Sequence, residues 1–170
     1  MIRYRDISCS KEFKMKHLLM LTLLLCMTFS SALAHASHYD IADIDILPAS
    51  VQSKVLAEGI DTTEVLLSRL MTPSDRKSFA TRFSMDQDAV NKLAHKLELM
   101  QIIGVGPKAA DLLLLAGVKN IKGLAAADPN TLLEALLAAN REHAITGVQP
   151  DMTVVKDWIA RAQKITNHLS

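Results

Sequence analysis

The residues with the clearest binding chemistry surround a pair of glycines in the second half of the chain. Gly104 and Gly106 flank one apolar residue, Val105, and Pro107 follows directly. Proline has a fixed φ that suits the first turn of a helix, and glycine permits the tight turn before it. The first backbone amides of such a helix have no carbonyl partner within the helix, so they can bind an anion or an acceptor from another chain.

Two helices are needed to position this turn. The first carries apolar residues at helical spacing, at Val90, Leu93, Leu97 and Met100. The second begins at Pro107, and we expect Gly117 to close it in the left-handed conformation. Together they predict a helix-hairpin-helix unit. If Gly106 holds a positive φ, its replacement by valine should destabilise the turn by about 1–3 kcal/mol.

The candidate binding residues of this unit are the turn itself and the lysines near it. They are Gly104, Val105, Gly106, Lys108, Lys119 and Lys122. Three lysines against one aspartate give residues 101–123 a charge of +2. In the alternative interpretation the glycines only let two helices approach, and Lys108 pairs with Asp111 one turn away.

Residues 15–36 have the pattern of a secretory signal peptide. A basic start at residues 15–17 precedes an apolar run at 18–29 and small residues at 30–36, and the run is too short to span a bilayer comfortably. We predict cleavage after Ala36, with Ala34 as the other possibility and Met15 as a possible true start. The sequence therefore predicts a periplasmic or secreted protein with no stable membrane anchor after cleavage.

Removal of residues 1–36 changes the charge balance. The full chain has 19 basic and 18 acidic residues, and 14 basic and 16 acidic residues remain, so the mature charge is about −2. DNA-binding domains usually carry a basic surface, which makes this balance unfavourable for nucleic acid. Both cysteines, Cys9 and Cys26, lie in the leader, so the mature chain can form no disulfide.

The mature chain is predicted to be all-helical, with an internal repeat. A shift of 58 residues places Gly59 on Gly117 and Leu66 on Leu124, which predicts a first, degenerate unit over residues 37–100 and a second over 101–170. In the first unit Pro48 stands where the second has Gly106. We expect the two tandem helix-hairpin-helix units to pack as one compact domain.

Local signals predict the helices of both units. In the first unit a helix follows Pro48 and stops at Gly59, and three more begin at Asp61 with Glu64, at Thr72-Pro73 and at Ser84 with Gln87. In the second unit helices begin at Asn120 and at Asp128-Pro129, and a last helix over residues 151–165 carries Val154, Val155, Trp158, Ile159 and Ala162 on one stripe.

These motifs resemble a known family. Residues 103–113, 116–118, 124–125 and 155–162, with residues 59–63, 66–67 and 76–77 in the first unit, resemble a bacterial domain family of unknown function built from tandem helix-hairpin-helix units. The resemblance covers nearly all of residues 39–166. It implies the fold and no established activity.

No catalytic or metal-binding constellation stands out in the sequence. His38, His95, His143 and His168 are scattered without ligand spacing. The aspartates at 40, 43 and 45 lack the glycine and distal glutamate of a calcium loop. We therefore predict no enzyme, no metal site and no cofactor, and we expect Trp158 to pack in the core.

The predicted function is that of an exported, non-catalytic interaction module with an unknown protein partner. The alternative is an envelope DNA-binding protein that contacts phosphates through residues 104–108. Lys108 is the one basic residue in that turn, whereas exported DNA receptors of this general plan have a lysine-rich hairpin.

Overall fold

Helices make up nearly all of the regular structure in the part of the chain that the structure describes. A computed structural model describes residues 38–168, with a 3₁₀ turn at Ile41–Asp43 and eight α-helices in that range. The helices are α1 (Ala49–Ala57), α2 (Thr63–Ser68), α3 (Pro73–Phe83), α4 (Gln87–Met100), α5 (Pro107–Leu115), α6 (Ile121–Ala125), α7 (Pro129–His143) and α8 (Met152–His168). Over these residues the all-helical prediction is confirmed. The predicted leader, with Cys9 and Cys26, lies outside them.

Polar side chains fix the start of most of the helices. Thr62, Thr72, Asp86, Asn120 and Asp128 each accept hydrogen bonds from first-turn amides of α2, α3, α4, α6 and α7, respectively. Such a side chain satisfies amides that have no partner inside the helix. The predicted starts at Thr72, Asn120 and Asp128 are therefore confirmed.

Two predicted caps are wrong by one or two residues. Thr62, not Asp61, caps α2, because the Thr62 Oγ1 accepts from the Val65 amide at 3.3 Å. Asp86, not Ser84, caps α4. Ser84 has a φ of +53° and ends α3 in the left-handed conformation, so it cannot also adopt the extended backbone that a capping residue needs.

The caps of α3 and α7 predict an acid-sensitive contribution to stability. Hydrogen bonds from the Thr72 side chain and amide lower the pKa of Asp75, and bonds from the Thr131 amide and hydroxyl lower the pKa of Asp128. A carboxylate whose pKa is lower in the folded state stabilises the fold above the unfolded-state value of about 4 and loses that effect as pH falls further.

We therefore expect the free energy of unfolding to fall between pH 5 and pH 3, and to fall less in an Asp75→Asn, Asp128→Asn double variant. Asparagine keeps a cap acceptor without a titrating proton. Urea denaturation at both pH values measures the difference. Equal pH slopes in the two proteins would contradict the assignment.

The buried residues form two hydrophobic clusters. The first contains residues of the 3₁₀ turn and of α1 to α4, among them Ile41, Val55, Leu66, Phe79 and Phe83. The second contains residues from the end of α4 to α8, among them Leu113, Leu124, Leu136 and Trp158. Helix α4 contributes residues to both clusters. To the first it contributes Val90, Leu93, Ala94 and Leu97, and to the second it contributes Leu99 and Met100.

Helices α1 and α5 have matching bounds and matching ends. Each begins and ends 58 residues from the other. Gly59 and Gly117 follow them at φ +71° and +89°. The Ile60 amide donates a hydrogen bond to the Val55 carbonyl at 3.2 Å, and the Val118 amide donates one to the Leu113 carbonyl at 2.9 Å. This is the bonding of a Schellman motif, in which only glycine adopts the left-handed position without strain.

Candidate functional site

The glycine turn connects the end of α4 at Met100 to the start of α5 at Pro107. Val105 is fully buried between the two glycines, and its amide donates to the Ile102 carbonyl at 2.9 Å. Gly104 has a φ of +91°. Gly106 has a φ of −83°, so the expectation of a positive φ at Gly106 is wrong, and the left-handed residue of the turn is Gly104.

Both glycines also permit close side-chain packing. A Cβ on Gly104 would lie 3.4 Å from the Trp158 Nε1 atom, and a Cβ on Gly106 would lie 3.3 Å from the Tyr39 hydroxyl. Gly104 is thus constrained by its conformation and by a neighbour, whereas Gly106 is constrained by a neighbour alone. The two neighbours come from opposite ends of the described chain, α8 and the segment before the 3₁₀ turn.

Helix α5 begins without a side-chain cap. Gly106 is its capping residue, and Pro107 has no amide hydrogen. The amides of Lys108 and Ala109 therefore lack the capping partner that six other helices have, α8 included through Asp151. Among the described helices, α1 also lacks such a cap, with Pro48 before its first residue.

The three predicted lysines do not line a common cavity. Lys108 is exposed on α5, and Lys122 is exposed on α6. Lys119 lines a separate groove between α4 and α5. The predicted pairing of Lys108 with Asp111 is wrong, because the Asp111 carboxylate binds Lys96 at 2.8 Å, and α4 and α5 pack closely enough for that contact.

Apolar side chains surround the turn. Ile103 at its tip is 50% exposed, and Val148 is 83% exposed. A cavity of about 190 Å³ next to α5 is lined by Ala109, Leu112, Thr146, Val148, Gln149, Pro150, Val154 and Trp158. Because Trp158 lines this cavity and also lies where a Cβ on Gly104 would meet it, we treat Ile103, Gly104, Ala109, Val148 and Val154, together with Trp158, as one hairpin surface.

The loop that carries Val148 is held in place from α7. Asn140 is buried, and its side-chain amide donates to the Thr146 carbonyl at 2.9 Å while its oxygen accepts from the Thr146 amide at 3.0 Å. The Thr146 hydroxyl donates in turn to the Val148 carbonyl. These hydrogen bonds fix the conformation of the loop from Thr146 to Val148.

The sequence analysis missed part of this surface. Val148 was assigned only to a loop between Gly147 and Pro150, and Val154 was expected on the buried stripe of the last helix but is exposed. Trp158 is buried as expected, with 5% of its surface exposed. The position of Val148 between Gly147 and Pro150, in a turn where no helix could bury it, is the signal that could have identified it.

Over residues 38–168, no group of three or more histidine, cysteine or acidic side chains is close enough together to hold a metal ion. Within the same range, no helix has the length and hydropathy needed to cross a bilayer.

Comparison with known proteins places the chain in a family. No curated protein and no solved structure matches it significantly. A family model described as a domain of unknown function, DUF4332, matches residues 47–165, which include all eight helices except the last residues of α8. The chain therefore belongs to the DUF4332 family, whose function is unknown.

Proposed function

We propose that this protein is an exported, non-catalytic module of two helix-hairpin-helix units, and that it binds another protein through the hairpin surface. The tandem arrangement is supported by the matching bounds of α1 and α5 and by the Schellman bonds after each. In the first unit Pro48 replaces the glycine before the helix, so the second unit is the binding one.

The exposed apolar character of the hairpin surface carries this proposal. Ile103 in the turn and Val148 at the cavity that Trp158 lines both present apolar side chains to solvent. Exposed apolar residues that cluster on a rigid base are typical of protein–protein contact sites. An anchor from the partner could bury Ile103 and Val148 together, and Asn140 keeps the loop from rearranging.

Charge supports a protein partner over DNA. Phosphate contacts dominate DNA affinity and need several cations on one surface. Lys108 is the single lysine beside the turn, and Lys119 lies in a different groove. The net charge of about −2 on the predicted mature chain also disfavours binding to DNA. Export rests on the leader-like pattern of residues 15–36, and the non-catalytic role rests on the scattered histidines and carboxylates.

Site-specific photocrosslinking tests the partner. A photoreactive benzophenone residue at position 103 should yield a discrete crosslinked product in the source organism, because Ile103 lies at the contact. Met71 is 66% exposed on the other half of the chain, and the same residue at position 71 should yield no such product. Val148→Asp should abolish the product from position 103 while the protein remains folded.

Several outcomes would contradict parts of the proposal. Equal products from positions 103 and 71, or a product that survives Val148→Asp, would show that the hairpin surface is not the contact. Gel-shift binding to DNA at low salt that weakens with Lys108→Glu would favour the DNA-binding alternative. An N-terminus at Met1 or Met15 in the mature protein, measured by mass spectrometry, would contradict export.

A further inference from the structure

A groove lies between α4 and α5. The groove has a volume of about 710 Å³ and shares no residue with the hairpin surface. Its apolar lining comes from four parts of the chain, with Ile46, Leu93, Leu114, Leu115 and Ile145. Sites of about 300–1,000 Å³ with an apolar lining and a few polar groups are typical of small-molecule binding.

An ion pair crosses the groove. The Lys96 ammonium of α4 lies 2.8 Å from the Asp111 carboxylate of α5, and the Lys96 side chain is only 13% exposed. A largely buried cation needs such a partner to offset its desolvation. The two charges of this ion pair cancel. The other charged side chains therefore determine which ligands the groove prefers.

The remaining charges favour an anion. Lys92, Lys119 and Asp88 line the groove beside the ion pair, together with His95. Neither Lys92 nor Lys119 forms an ion pair with any residue that the structure describes. With Lys96 and Asp111 included, three lysines face two aspartates, so one positive charge lacks a negative partner.

We propose that this groove binds an amphiphile with an apolar chain and one anionic head, of the class of medium-chain carboxylic acids. The chain contacts the leucines and isoleucines, and the head lies between Lys92 and Lys119. The α4 wall from Asp88 to Lys96 contains nine residues, whose eight helical steps span about 12 Å, which suits a chain of medium length. A cationic amphiphile of the same length would add to the positive surplus and is excluded by repulsion.

Calorimetric titration with dodecanoate below its micellar concentration tests this site. We expect saturable binding of one dodecanoate per chain. The affinity should be lower by a factor of about ten or more in Lys92→Glu and in Lys119→Glu, because each substitution reverses a charge beside the head. Lys77→Glu is the matched control, since Lys77 is an exposed lysine that does not line the groove. It should bind as the wild type does. Dodecyltrimethylammonium should not bind.

The proposal is overturned by several results. Absence of saturable dodecanoate binding would exclude the site. Equal dodecanoate affinities in the wild type, Lys92→Glu and Lys119→Glu would show that the ligand binds elsewhere. If dodecyltrimethylammonium bound as tightly as dodecanoate, the charge of the groove would not select the ligand. Circular dichroism of each variant confirms that the helices are retained. None of these results depends on whether the hairpin surface binds a protein.

Discussion

Replacement of Trp158 by alanine should lower the free energy of unfolding by about 3–5 kcal/mol. Trp158 is 5% exposed and packs in the second hydrophobic cluster, and its ring lies beside Gly104. Truncation removes the largest side chain of α8 and leaves a cavity beneath the hairpin surface. The loss therefore combines the transfer of apolar surface with the energy of an unfilled space.

Urea denaturation followed by circular dichroism measures this loss, because Trp158 is the single tryptophan of the chain and its removal abolishes the fluorescence signal. Val154→Ala is the matched control. Val154 lies four residues earlier on the same helix and is exposed, so its truncation should change stability by less than about 1 kcal/mol. If Trp158→Ala lowered the free energy of unfolding as little as Val154→Ala does, Trp158 would not be packed in the second cluster.

Replacement of Gly104 by alanine should destabilise the protein by about 1–3 kcal/mol through backbone strain, with an added cost from the contact of the new Cβ with Trp158. The φ of +91° is unfavourable for any residue with a side chain. The new Cβ would also lie 3.4 Å from the indole nitrogen. Both effects act on the turn that positions α5.

Gly117→Ala separates the two effects. Gly117 has a nearly equal φ of +89°, and a Cβ there would meet nothing within 4 Å. Thermal unfolding of both variants should show a larger loss for Gly104→Ala, and the difference measures the contact with Trp158. If both variants lose equal stability, the contact has no cost. If neither loses stability, the turn differs from the one described.

The sequence predicted those parts of the fold that depend on short-range signals. Pro107 begins α5, Gly117 ends it, and Asn120 and Asp128 cap the next two helices, because each signal acts through hydrogen bonds or φ preferences within four residues. The buried positions of α4 followed from helical spacing. The site residues at positions 104 to 106 were identified as a turn for the same reason.

Features that depend on residues distant in sequence could not be predicted. Asp111 pairs with Lys96, 15 residues earlier, rather than with Lys108 one turn before it. The roles of Gly104 and Gly106 depend on Trp158 and Tyr39, which no local pattern connects to them. The cap of α4 is Asp86 rather than the predicted Ser84, because Ser84 ends the preceding helix in the left-handed conformation.

The position of α4 in both hydrophobic clusters has a thermodynamic consequence. One rigid helix contributes Leu97 to the first cluster and Leu99 to the second, so unwinding it exposes apolar surface on both sides at once. We therefore expect the two clusters to unfold together rather than one after the other.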